Sequence, residues 1–164
     1  DDPSEPDTPS DDPSSDEPSE PGEPVGPVLR QGWYQAGNNW QYYKNGKALT
    51  GWQNDIPGWS GRWFYFDLTT TYAKSGWVSD ILGWEGQWFY FDAISGTCVM
   101  QTSWLQIGNE FYYLNESGIM QTGWQFIVWS GGTDWFYFDV NGLMLKNTTT
   151  PDGYYVDENG RWVS

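Results

Sequence analysis

Two series of aromatic residues run through this chain at steady intervals, and their rings are its most distinctive chemical groups. Trp33, Trp52, Trp77, Trp104 and Trp124 form one series; Trp40, Trp63, Trp88, Phe111 and Trp135 form the other. Electron-rich ring faces attract cations by about 0.5–2 kcal/mol each, and Trp is the strongest of them. They suit a quaternary ammonium in particular, which has no N–H to donate and so cannot be held by hydrogen bonds. The same rings must also pack the protein. With 13 Trp, 11 Tyr and 8 Phe and few long aliphatics, aromatics have to supply most of the core. Every repeat aromatic is therefore expected to be partly structural.

Other chemistry is largely excluded. The chain has no histidine, so it contains neither a Ser/His/Asp or Cys/His arrangement nor a His-bearing zinc site. Cys98 is the single cysteine and cannot form an internal disulfide. A reactive thiol and a semi-buried small apolar residue are its two readings, and the second is preferred. Carboxylates such as Asp152 and Glu158 could in principle act on glycosides. The repeat acids, however, sit at turn positions, and no unique cluster breaks the periodicity. No enzyme, metal site or cofactor is expected.

Charge is unevenly placed. Of the formal −15, residues 1–27 carry ten acids and no base, while the remainder holds 12 acids against 7 bases. Phosphate binding needs clustered Lys and Arg, so nucleic acid is not an expected partner. No apolar run is long enough to span a bilayer, and no membrane insertion is expected. Residues 1–27 hold eight of the ten prolines. Such a tract cannot bury enough apolar surface to order itself, and its like charges and prolines extend it. Residues 1–30 are read as an acidic linker to an upstream effector domain, and residues 31–164 as the folded module.

The elements that must position the rings follow from the repeat. GWQNDIPGWSGRWFYFD from Gly51, GWVSDILGWEGQWFYFD from Gly76 and GWQFIVWSGGTDWFYFD from Gly123 are its clearest copies. Shorter copies start at Gly32 and Ser103, and a worn last copy, DGYYVDENGRW, at Asp152. The two aromatics of a unit lie 7 apart in the first and fourth units and 11 apart in the other three. Four extra residues lengthen each arm of a hairpin by two and keep every side chain on its face, which predicts short and long versions of one β-hairpin. WFYF and its variants are β-formers too short for a helix. They end at Asp67, Asp92, Asn115 and Asp139, residues that turn a chain by side-chain capping. Isolated hairpins are marginal in water, whereas stacked ones share a core. The fold class predicted is all-β: an elongated solenoid of about five hairpins plus a terminal half-repeat.

The segment FYYLNESGIMQTGW, Phe111 to Trp124, closely resembles the cell-wall-binding repeat family, best known from choline-binding modules of streptococcal and phage lysins. Related repeats bind glucans. The resemblance covers residues 31–164. It implies ligand sites between successive hairpins, where the two aromatics of one unit meet an aromatic of the next, often near a Met. Trp33 and Trp40 would then face Phe64 or Tyr65. Trp52 and Trp63 would face Phe89 or Tyr90. Trp77 and Trp88 would face Tyr112 or Tyr113 beside Met100, making this the most complete groove. Trp124 and Trp135 would face Tyr154 or Tyr155 beside Met144. The Trp104 site carries Phe111 in place of a second Trp. Extra residues Trp59, Trp84 and Trp129 would either lengthen a groove for sugar rings or cover the longer arms. The implied function is a secreted, non-catalytic anchor on the bacterial cell surface that binds choline of teichoic acid or lipoteichoic acid. The alternative is recognition of an α-glucan or host glycan.

Overall fold

The computed structural model describes residues 28–164, which are all-β and include no helix. Most of the expected linker, residues 1–27, lies outside the described residues. Arg30 packs on the first hairpin, its guanidinium 4.4 Å from the centre of the Tyr34 ring.

Six small antiparallel sheets follow one another along the chain. Strands β1 (Gly32–Ala36), β2 (Asn39–Lys44) and β3 (Lys47–Ala48) form the first unit. Then β4 (Gly51–Gln53) pairs with β5 (Phe64–Phe66), and β6 (Gly76–Val78) with β7 (Phe89–Phe91). Next β8 (Ser103–Ile107) pairs with β9 (Glu110–Leu114), and β10 (Gly123–Trp129) with β11 (Gly132–Phe138). The last unit, β12 (Thr148–Thr149), β13 (Tyr155–Val156) and β14 (Trp162–Val163), is a three-stranded sheet that starts upstream of the recognisable match at Asp152.

What stacks the sheets is a returning segment after each second strand. Ala73, Met100, Met120 and Met144 bridge to Phe66, Phe91, Leu114 and Phe138 of their own units. Each also donates its N–H backward, to the carbonyl of Trp40, Trp63, Trp88 and Phe111 in the preceding unit, at 2.8–2.9 Å. Phe136 and Arg161 form the corresponding bridge between the last two units. Hydrogen bonds thus run from unit to unit, and the architecture is a solenoid.

The turns that aim these segments are built by one carboxylate or amide per unit. Asp67 Oδ1 accepts from the N–H of Thr69 and Thr70, and Asp92 Oδ1 from Ile94 and Ser95. Asn115, Asp139 and Asp157 each take the N–H groups two and four residues on.

The expected long hairpin occurs once. In the fifth unit both arms have 7 residues against 5 in the fourth, as two added residues per arm require. In the second and third units the arms are only 3 residues long, and the remainder is a loop. Gly58 and Gly61 in one loop, and Gly83 and Gly86 in the other, take positive φ, which breaks the ladder. Ile56 and Ile81 still turn inward, at 2% and 1% exposure, so each loop is pinned by one apolar anchor.

Alternation along each second strand builds the core. Tyr65 lies across from Trp52 of its own hairpin, the rings 5.1 Å apart. Phe64 and Phe66, on the opposite face, turn back to Trp33 of the preceding unit at 5.4 and 5.9 Å. Phe89 and Phe91 do the same against Trp52, and Phe136 and Phe138 against Trp104. Phe64, Phe66, Phe89, Phe91 and Phe138 are fully buried, each worth roughly 1.5–3 kcal/mol of burial.

Candidate functional site: aromatic grooves between successive units

The second-strand aromatics are buried between units, and the tryptophans just ahead of them, Trp63, Trp88 and Trp135, stay 40–44% exposed at the inter-unit grooves. In the second groove Trp52 and Trp63 meet edge to face at 6.1 Å, and Phe89 of the next unit stands 5.4 Å from Trp52. Trp84, from the loop of that next unit, packs on Phe89 at 5.8 Å. Met100 and then Glu116 and Ser117, from the unit after, complete a cleft of about 360 Å³. Such a volume lies at the small end of ligand sites, roughly 300–1,000 Å³. One groove is therefore assembled from three consecutive units.

The others are variations on it. The first groove brings Trp33 and Trp40 together with Trp59, Gly96 and Thr97 around about 290 Å³. Ala73 holds its methionine place, since the Ala73 N–H is bound to the Trp40 carbonyl. In the third, Trp77 meets Tyr112 at 5.0 Å and Tyr90 at 5.1 Å. Trp88, just ahead of β7, is 44% exposed. Trp104, Phe111, Trp129, Phe136 and Met144 line the fourth, of about 350 Å³. In the fifth, Trp124, Trp135, Tyr154 and Trp162 surround about 300 Å³. There the Trp124 indole N–H donates to Asp152 Oδ2 at 2.8 Å, beside a 2.6 Å hydrogen bond from Thr150 Oγ1 to Oδ1. Those bonds, Thr150 foremost, hold the Asp152 carboxyl below its ordinary pKa and keep a negative charge at the groove edge.

The open choices between neighbouring aromatics resolve by strand face. Phe64, Phe89, Tyr112 and Tyr154 face the preceding unit's Trp. Tyr65 and Tyr90 are buried against their own unit's Trp52 and Trp77, and Tyr113 packs on Trp104. Tyr155 lies on the far face of β13 from Tyr154, its hydroxyl donating to Asn147. The methionines sit one groove earlier than expected. Met100 lines the Trp52–Trp63 groove and Met144 the Trp104 groove, because each returning segment docks on the unit before it. Met120, bound through its N–H to the Trp88 carbonyl, takes the place expected of Met100. Trp162 takes that of Met144, in the cleft with Trp124. Sequence reasoning also passed over the turn residues Glu116, Ser117, Glu158 and Asn159 as groove walls; no local motif marks them.

Among the described residues, no group of three or more Cys, Asp or Glu could hold a metal ion, and no helix is long and apolar enough to cross a membrane. Cys98 is buried at 5% exposure, and burial pushes its thiol pKa up, as befits a packed residue rather than a nucleophile.

Comparison with known proteins agrees with this architecture. A choline-binding repeat matches residues 128–162, and a cell wall binding repeat matches residues 102–120. The solved structure of CbpF of Streptococcus pneumoniae, in complex with ipratropium, is 34% identical with a TM-score of 0.67, over 82% of this chain and 39% of that one. CbpJ from Streptococcus pneumoniae TIGR4 is 37% identical, TM-score 0.65, over 82% and 41%. The multimodular pneumococcal cell wall endolysin from phage Cp-1, complexed with choline, is 26% identical, TM-score 0.51, over 80% and 36%. The chain belongs to the choline-binding repeat family of cell-wall-binding modules. It spans about two fifths of the length of these solved relatives. The curated proteins contain no match to it.

Proposed function

We propose that residues 31–164 form a non-catalytic cell-wall-binding module that recognises choline on teichoic or lipoteichoic acid at a bacterial cell surface. Residues 1–30 are the tether to an effector domain. The observation that carries this reading is the Trp52–Trp63 groove. Three rings and Trp84 converge on a cleft of ligand size, Met100 walls it, and Glu116 adds a carboxylate at its rim. Ring faces and a negative charge are what a trimethylammonium group needs, and cation–π attraction of roughly 0.5–2 kcal/mol per ring gives single sites in the millimolar-to-micromolar range. Several such grooves in a row multiply avidity for a polymer that repeats the ligand.

The test is retention on a tertiary- or quaternary-amine resin with elution by free choline, run beside a salt control. Choline elution together with a change in Trp fluorescence is expected. Elution by salt alone would mean simple attraction of an acidic chain to a cationic matrix, and the reading would fail. The glycan alternative draws on Trp59, Trp84 and Trp129, which widen three grooves with flat rings. A fluorescence response to a maltooligosaccharide but not to choline would favour it.

A further inference from the structure

Resting on that reading, we propose that the fourth groove carries its own cation, Lys146, which closes it to quaternary ammonium ligands and so sets how many choline sites the module has. Two of the chain's departures from its own repeat lie together in this groove. Phe111 stands where the other four units that open on Trp have Trp40, Trp63, Trp88 and Trp135. Lys146 stands two residues after Met144, where the earlier units have the short side chains Ser75, Thr102 and Thr122 after Ala73, Met100 and Met120.

The structure brings the two departures together. Lys146 Nζ lies 5.1 Å from the centre of the Phe111 ring and donates to the Asn109 carbonyl, at the tip of the β8–β9 hairpin, at 2.9 Å. The ammonium is thereby held on the Phe111 ring, and Lys146 is itself part of the groove lining. On Trp129, the Arg161 guanidinium sits 5.1 Å from the ring centre, fixed by two bonds to Asp157 Oδ2 at 2.9 and 2.6 Å. The Phe111 ring of this groove is therefore covered by the chain's own lysine, whereas the Arg161 charge on Trp129 is already paired with Asp157. Glu158 lines this cleft as Glu116 lines the second, so what sets the two apart is the resident ammonium and a ring weaker than Trp, and an incoming trimethylammonium must compete with Lys146 for that ring face. The other grooves need a ligand to place a cation between their units; this one has it built in.

The experiment counts choline sites on the whole chain by equilibrium dialysis, with folding checked by near-UV circular dichroism. Lys146→Thr combined with Phe111→Trp gives the groove the residues of its neighbours, and the count is expected to rise by one over the wild type. An unchanged count in the folded double variant overturns the proposal. A second readout needs no choline affinity anywhere. The ε-methylene protons of Lys146 are expected upfield in the ligand-free protein because of the Phe111 ring, and ordinary shifts there overturn the proposal. In a choline titration those signals are expected to stay in place; their displacement by choline also overturns it. A wild type that binds no choline at all would defeat the wider reading instead, and the ring-current shift would still decide whether Lys146 occupies the groove.

Discussion

At the scale of single residues, the two tryptophans of a groove differ in what their loss costs. Trp63 is 40% exposed, whereas Trp52 packs into the cluster of Tyr65, Ile81, Phe89 and Phe91. Trp63→Ala is therefore expected to weaken choline binding at its groove by about 0.5–2 kcal/mol while leaving the melting temperature nearly unchanged. Trp52→Ala should lose the site and also destabilise the fold by roughly 3–5 kcal/mol. Calorimetric titration beside thermal melts checks both; a Trp63→Ala variant with wild-type affinity at every site would remove that ring from the binding surface. Which aromatic faces which groove was within reach of the sequence, because the pleat alone places Phe89 opposite to Tyr90. The methionine offset was not. It depends on a backbone hydrogen bond from Met100 to Trp63, some 37 residues back, which no spacing within one repeat records.

At the scale of the element, the returning turns depend on a side-chain oxygen, a carboxylate at Asp67, Asp92, Asp139 and Asp157 and an amide at Asn115. Asp67 takes the N–H groups of Thr70 and Thr69 and pairs with Lys74 Nζ at 3.1 Å; these bonds, the backbone ones foremost, hold its carboxyl well below the usual range. A depressed folded pKa means that the unfolded chain takes up its proton first on acidification. The stabilisation is then complete above about pH 4, the ordinary carboxylate range, and is lost as pH falls toward the folded value. Asp67→Asn keeps an Oδ1 acceptor, as Asn115 does in the fourth unit, so the turn should form while the acid-side decline in melting temperature becomes shallower. An unaltered pH slope would show that this carboxylate is not what titrates. The turn residues Asp67, Asp92, Asn115 and Asp139 were legible from their place at the end of each aromatic tract. Arm length was not fully so: the fifth unit's unbroken QFIVW supports two long strands, while DIPG and DILG insert glycines that divert the same number of residues into loops. The four-residue increment was visible, but its conformation hung on those glycines.

At the scale of the whole molecule, the described residues that line the grooves run from Trp33 onward, while ten of the chain's acids lie in residues 1–27. Deleting residues 1–27 should therefore weaken the salt-sensitive part of retention on an amine resin and leave the choline concentration needed for elution unchanged. A shift in that concentration would place the acidic segment in the binding reaction. The solenoid itself was predictable from self-similarity, because a unit that cannot bury its faces alone has to be stacked. The reach of one groove across three units was not, since the third contributor is a turn with no aromatic signature. That reach limits how the module can be edited. A graft meant to carry the second groove into another protein must include everything from Trp52 to Ser117, and a pair of hairpins taken alone would transplant rings without a wall. Inserting or excising one hairpin likewise rewrites the pockets on either side, so these repeats are exchangeable as overlapping triplets rather than as beads on a string.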